Sequence, residues 1–150
     1  MNKKQVEEYL PRAYDVLKEC GIASGTPLAI ENEFRGYIAS FGAAVSMGSL
    51  LSAVAFFSKQ GDAKRDRSKL MEAIYRLIAA DGGTTEIPKA DALSRGHLFQ
   101  YVRDRNKNEA DQRAVKEDVL SAAVALKLAM NLYDLKNSDG EGKQSDQPEN

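Results

Sequence analysis

Apolar positions recur at helical spacing along most of this chain. The clearest case runs from Phe34 to Lys59, FRGYIASFGAAVSMGSLLSAVAFFSK. Phe34, Ile38, Phe41 and Val45 follow at steps of four, three and four, which puts them on one stripe of an α-helix. Gly36, Ser40 and Ala43 make a second row of small side chains, where another helix backbone could approach closely. The pattern pauses at Ser46-Met47-Gly48-Ser49, where Gly suits a helix C-terminus and Ser an N-cap. It resumes at Leu50, Val54 and Phe57, with Leu51 and Ala55 widening the apolar face, and stops before Gly61. Two core helices, about 30–46 and 49–60, joined by a tight turn, are expected.

The flanking segments read the same way. Val6, Leu10, Ala13, Leu17 and Cys20 predict a first helix over about 5–20. Pro11 interrupts it, and an internal proline costs about 3 kcal/mol, so this helix either starts near Leu10 or kinks at Pro11. Gly21 ends it, and residues 22–29, with Gly25 and Pro27, read as a loop. Gly61 to Arg67 is a charged connection. Leu70, Ile74, Leu77 and Ile78 predict a fourth helix over about 67–80. A break follows at Gly82-Gly83-Thr84-Thr85-Glu86-Ile87-Pro88, then a helix over about 89–105 carrying Leu93, Leu98, Tyr101 and Val102. The last helix is read as 109–136. Val115, Val119, Ala122, Leu126, Met130 and Tyr133 form one stripe; Leu120, Val124, Leu128 and Leu135 form a second beside it. So wide an apolar arc belongs at the centre of a bundle. No strand alternation and no internal repeat is visible. The expected fold is all-α, a single-domain bundle of five to six helices over residues 1–136.

Composition changes this picture only at the end of the chain. Residues 137–150, NSDGEGKQSDQPEN, hold no large apolar side chain and are expected to be disordered. They carry Asp139, Glu141, Asp146 and Glu149 against Lys143. Without that tail, the formal charge of −1 becomes 20 basic against 18 acidic residues, a net of +2. Two windows, 59–76 and 95–116, are each locally +3. A stand-alone nucleic-acid binder usually carries a more strongly basic face. No apolar run approaches the roughly 18 residues of a membrane span. The start of the chain lacks an apolar signal region. Cys20 is the only cysteine, so no internal disulfide and no Cys-based metal site can form, and a reducing cytoplasm is the expected setting.

The inventory for catalysis is thin. His97 is the only histidine and reads as a surface or partly packed residue. No Glu-x-x-His pair, no Gly-x-Ser-x-Gly elbow and no P-loop is present. Glu7-Glu8 and Glu117-Asp118 are adjacent acids that a helix splays into solvent. Cys20 continues an apolar stripe as a small core residue. The chain is expected to be no enzyme and to need no cofactor or metal.

The central stretch resembles the small subunit of the Cmr-type (type III-B) CRISPR RNA-guided effector complex. There a helix with an FR-x-Y-I-like start leads through a Gly-containing turn into roughly G-x-L-x-x-A-x-A-F-x-x-x-K. The matching residues are Phe34-Arg35-Gly36-Tyr37-Ile38, then Gly48, Leu50, Ala53, Ala55-Phe56 and Lys59. The last helix is similar to the family more loosely, through Arg113, Lys116, Asp118, Leu120, Leu126 and Lys127; the family's Trp position is Ala125 here. The resemblance implies a non-catalytic subunit of an antiviral RNA-silencing complex, with the type III-A small subunit as a close variant. It implies guide RNA, target RNA and other effector subunits as partners, and self-association in a stacked filament. On that reading Arg35, Lys59, Lys64, Arg65, Arg113, Lys116 and Lys127 are the candidate RNA-binding residues. Lys64-Arg65-Asp66-Arg67 also reads as a solvated loop and helix start, and Arg113 and Lys116 could instead pair with Glu117 or Asp111. Aromatic residues do not interleave with these charges, so contact to phosphates is expected rather than base stacking. The rival reading is a helical adaptor or structural oligomer without nucleic acid.

Overall fold

The computed structural model describes residues 1–61, 65–81 and 96–136. Among the described residues six helices pack around one core: α1 (Lys3–Glu19), α2 (Glu33–Met47), α3 (Leu50–Phe57), α4 (Ser68–Asp81), α5 (His97–Asp104) and α6 (Glu109–Met130). Three short strands, β1 (Ala23–Ser24), β2 (Ala29–Glu31) and β3 (Asp134–Lys136), join at the edge. The fold is thus mostly α, as the periodicity predicts. Among the described residues no helix is long and apolar enough to cross a membrane. The expected tail 137–150, the break at 82–88 and the part of the expected helix over 89–95, with Leu93, lie outside the described residues.

Helix α1 begins earlier than the sequence suggests and runs through Pro11. Asn2 caps it, its side-chain oxygen accepting from Gln5 N at 3.2 Å. Val6, Tyr9, Ala13, Val16 and Leu17 face the core. Pro11 points to solvent, and Glu7, whose carbonyl loses its helical partner there, is exposed. Water can therefore take that carbonyl, which limits the cost of the proline. α1 runs alongside α6 in the same direction. Gln5 donates to Asp118 at 2.7 Å near one end, and the Tyr133 hydroxyl donates to the Tyr14 carbonyl at 2.7 Å near the other. The acids at 117–118 are therefore partnered: Glu117 also meets the Met1 amine at 2.9 Å.

The central stripe is as expected. Phe34, Ile38, Phe41 and Val45 are buried on α2, Gly48 ends that helix, and the Ser49 side chain caps α3 by accepting from Ser52 N. The second row behaves differently. Gly36, Ser40 and Ala43 are exposed, and among the described residues no helix covers them. A Cβ placed at Gly36 or Gly42 meets nothing within 4 Å.

The end of α6 corrects the sequence reading. The helix stops at Met130, and 134–136 is a strand. Tyr133 stacks on Tyr14 at 4.8 Å, which draws the chain down onto α1. The chain then pairs in parallel with β2, while β1 pairs with β2 antiparallel. The reason lies in β2. Ala29, Ile30 and Glu31 are all buried, so their backbone groups need partners on both sides. The loop read at 22–29 supplies one side and the supposed last turn of α6 the other. Leu128 and Leu135, placed on an apolar stripe by periodicity, are exposed. The first stripe is buried as expected at Val115, Val119, Ala122, Leu126 and Met130, while Leu120 and Val124 of the second are half-buried.

Two stability outcomes follow from these faces. Phe41→Ala and Leu126→Ala, both at fully buried positions, should each cost about 2–5 kcal/mol in chemical unfolding through lost burial and a residual cavity. A loss under about 1 kcal/mol at either site would contradict the assigned core. Gly36→Ala and Gly42→Ala, in open space within α2, should instead stabilise by about 0.5–1 kcal/mol each, read as a rise in thermal midpoint.

Candidate nucleic-acid interface

Basic side chains gather at the two ends of α3. At its C-terminus, the Ser58 hydroxyl donates to the Val54 carbonyl at 2.6 Å and the chain turns away. Asp66 then holds both sides of the connection, one carboxylate oxygen accepting from Gly61 N at 3.1 Å, Ser68 N at 3.0 Å and Ser68 Oγ at 2.6 Å. These bonds cap α4 and fix a cleft of about 320 Å³ lined by Tyr37, Lys59, Gln60, Gly61, Arg65 and Arg67. Three cations line it and no acid does, among the described residues. Arg67 is set in place by its neighbours. Its Nη2 donates to the Phe56 carbonyl at 3.0 Å, and its guanidinium lies 4.4 Å from the Phe56 ring centre and 5.5 Å from that of Phe57. Its Nε is buried without a hydrogen-bond partner. Phe56 itself is 62% exposed at the rim of this corner.

The second groove, about 520 Å³, lies at the other end of α3, between Ser49 and the facing parts of α5 and α6. Arg105, Arg113 and Lys116 line it together with Glu109. Arg105 lies 3.6 Å above the Tyr101 ring. Arg113 pairs with Glu109 at 3.9 Å, but both are largely exposed, so the pair restrains the arginine little. The ends of an eight-residue helix are roughly 10–12 Å apart along its axis.

The structure therefore brings Lys59 to Arg65 and Arg113 to Lys116. It does not bring Lys127 or Arg35 to either groove. Lys127 borders a hollow of about 310 Å³ between α2 and α6, beside Ile38, Gly42 and Leu120. Arg35 sits half-buried in the first turn of α2. Lys64 lies outside the described residues. Sequence reading did not single out Tyr37 or Arg105, and Arg67 entered it only within the run Lys64-Arg65-Asp66-Arg67. Its statement that aromatics stand apart from the charges is corrected by Tyr37 and Phe56 at the first cleft and Tyr101 under Arg105. Tyr37 precedes Lys59 by more than twenty residues, so no local window shows the pairing.

The other chemistry-bearing residues form a buried cluster. His97 is partly packed, as expected; its Nδ1 lies 2.9 Å from Glu72 Oε1 and its ring stacks 5.1 Å from that of Tyr75. Cys20 is buried, and burial, opposed in part by Arg76, pushes its thiol up to about 12. A thiol so protonated is a packing group rather than a nucleophile at neutral pH. Among the described residues no three His, Cys, Asp or Glu side chains are placed to hold a metal ion. No protein-family model, no curated protein and no solved structure matches the chain.

Cys20 should accordingly resist thiol reagents at pH 8 in the native protein and react in full once the chain is unfolded. Its folded value lies above the ordinary 9, so the native state keeps a proton that the unfolded state loses. Tyr133, raised from 10 to about 12 chiefly by burial and next by Tyr14, acts in the same direction. Stability should therefore fall as pH rises from 9 to 12, and Cys20→Ser should weaken the lower part of that fall. A flat stability profile over that range would contradict the burial of both groups.

Proposed function

We propose that this chain is a non-catalytic small subunit of a type III-B CRISPR RNA-guided effector complex that contacts RNA through its phosphates. One observation carries the reading: Lys59 and Arg65 share a cleft with Arg67 and Tyr37, at the end of the segment that resembles the family. Two charged residues of that segment and its flank meet there, where the buried Asp66 closes the connection between α3 and α4. Side chains of this type bind phosphate oxygens without reading sequence, and an aromatic face beside them accepts any base. The groove at the other end of α3 repeats the arrangement with Arg105, Arg113, Lys116 and the nearby Tyr101. A strand of RNA laid along α3 would meet both. Guide and target RNA and the other effector subunits are the partners on this reading, with copies of the chain stacked side by side.

The adaptor reading keeps one supporting feature. Met47 is 86% exposed and the small-residue face of α2 is uncovered, which suits a protein neighbour as well as a filament contact.

The two readings separate in one experiment. The complex formed in the native host should contain effector subunits and RNA alongside this chain. With Lys59→Ala and Arg65→Ala introduced together, the complex should still assemble. It should bind unrelated single-stranded RNAs more weakly by a similar factor, and its log–log salt slope should flatten by about 1–2. Wild-type affinity and slope in that variant would place the contacts elsewhere; a preparation free of RNA and effector subunits would favour the adaptor.

A further inference from the structure

The two hollows at the ends of α3 differ in what lies between their cations. The cleft at the C-terminal end is lined by one ring, Tyr37, and otherwise by charged, amide and glycine positions. The groove at the N-terminal end has an apolar floor. Leu50 and Leu51 reach it from the first turn of α3, Val102 from the last turn of α5 and Val115 from α6. Both valines are buried in the core. Leu50 and Leu51 pack against that core but are only half-buried, so part of their apolar surface is left to the groove. An apolar ligand face laid there is removed from water.

Cations stand around this floor. Arg113 and Lys116 lie three residues apart on α6 and so share a face. Arg105 comes from the end of α5, its guanidinium 3.6 Å from the Tyr101 ring centre and its Nη1 donating to the Tyr101 carbonyl at 3.4 Å. Glu109 pairs with Arg113 at 3.9 Å, in a contact that water screens. Three cations against that one acid leave the groove at +2. Charge and floor share a hollow of about 520 Å³, within the roughly 300–1,000 Å³ of small-ligand sites. An occupant that uses both carries a compact negative charge beside an apolar face. Inorganic phosphate would leave the floor wet. An extended acidic peptide spreads its charges over about 3.3–3.6 Å per residue and lays polar backbone on the leucines. A nucleotide has both parts: a terminal phosphate of about −1.5 to −2 at pH 7, and a base whose ring face accepts apolar contact.

We infer that this groove is a nucleotide site, with the base on Leu50 and Leu51 over the two valines and the phosphate among Arg105, Arg113 and Lys116. The floor carries no donor or acceptor side chain, so the site takes any base, and a larger ring buries more area. In RNA, one unpaired base would leave the strand here and anchor it, while the cleft at the other end of α3 meets phosphates. The anchoring rests on the RNA-contact role proposed above; the nucleotide site does not.

Titrating the full chain with AMP, UMP, ribose 5-phosphate, inorganic phosphate and a pentaglutamate peptide, followed by amide and methyl signals, tests this. AMP should shift Leu50, Leu51, Val102 and Val115 saturably and bind about tenfold more tightly than ribose 5-phosphate. Ribose 5-phosphate and inorganic phosphate should shift Arg105, Arg113 and Lys116 alone, and UMP should fall between the sugar phosphate and AMP. Leu51→Ala should weaken AMP several-fold and leave ribose 5-phosphate unchanged; the comparison among ligands uses the wild-type chain and holds even where that variant does not fold. Lys116→Gln should weaken every phosphate ligand at low salt, with the difference gone near ~0.5 M salt. Equal affinity for AMP and ribose 5-phosphate, AMP shifts that spare the floor, or no binding of AMP overturns the inference. Pentaglutamate binding more tightly than AMP also overturns it and assigns the groove to a protein partner. Where AMP fails but Lys59→Ala with Arg65→Ala still weakens RNA binding by the complex, the proposed function stands without this site. AMP bound in the groove of a chain whose native complex holds no RNA keeps the site and sinks the proposed function.

Discussion

The carboxylate of Glu72 sits in the core wall at 2% exposure, and both of its oxygens are taken. One faces His97 Nδ1 at 2.9 Å, the other Arg76 Nε at 3.4 Å. Arg76, itself 3% exposed, reaches Glu19 on α1 at 3.5 Å, and Glu19 holds Arg12 at 2.9 Å. Three helices distant in sequence are thereby tied at one point. Apolar faces tolerate some sliding; directional pairs at low dielectric do not. Leaving Glu72 buried without Arg76 would cost about 3–5 kcal/mol, a large part of the stability of a domain this size. The tie sets the orientation of α4 and α5 relative to α1. α4 starts one turn before Glu72, from Asp66 beside Arg65 and Arg67, and α5 ends at Asp104, next to Arg105. Both basic grooves are downstream of this one buried network.

Much of the fold was legible because it rests on local repetition. The spacing of Phe34, Ile38, Phe41 and Val45 requires a helix with one buried face, and that face is buried. Gly48 and Ser49 mark a boundary by their own backbone and side-chain chemistry, and the boundary is where they stand. What could not be read depends on partners far along the chain. Leu135 continues the apolar stripe of α6 perfectly well as a helical residue. It is a strand residue because Ile30, a hundred residues earlier, has a buried backbone with an unpaired edge. Pro11 shows the converse. Its local penalty is real, but the Asn2 cap and the burial of Val6 and Tyr9 outweigh it, so the helix passes through.

The candidate site divides along the same line. Arg113 and Lys116 were legible as a pair, since three residues apart on a helix means one face. Lys59 and Arg65 flank one short connection, and Asp66 closes it into a cleft. Tyr37 was not legible as part of that cleft, because the packing of α2 on α3 places it there. Arg67 read as one more charge in a basic run. Its guanidinium is instead fixed over Phe56, so its position is set before any ligand arrives and less side-chain freedom is lost on binding.

Magnitudes also decide how such a surface can work. A cleft with three cations and a body of net charge +2 give one copy little electrostatic pull on RNA. Sequence-independent binding of this kind is weak per contact, and neither groove offers the dense hydrogen-bonding needed to read bases. On the proposed RNA-binding role, affinity would then come from repetition along the strand. On that role, two grooves at the ends of one short helix would supply two points of contact per copy, and copies held side by side would convert each further contact into an intramolecular step. Low net charge serves such an arrangement. A strongly basic subunit would repel its own neighbours in a stack and bind any nucleic acid it met alone. A nearly neutral one, with a cluster of cations at each end of α3, would on the proposed role gain on RNA only where several copies share it.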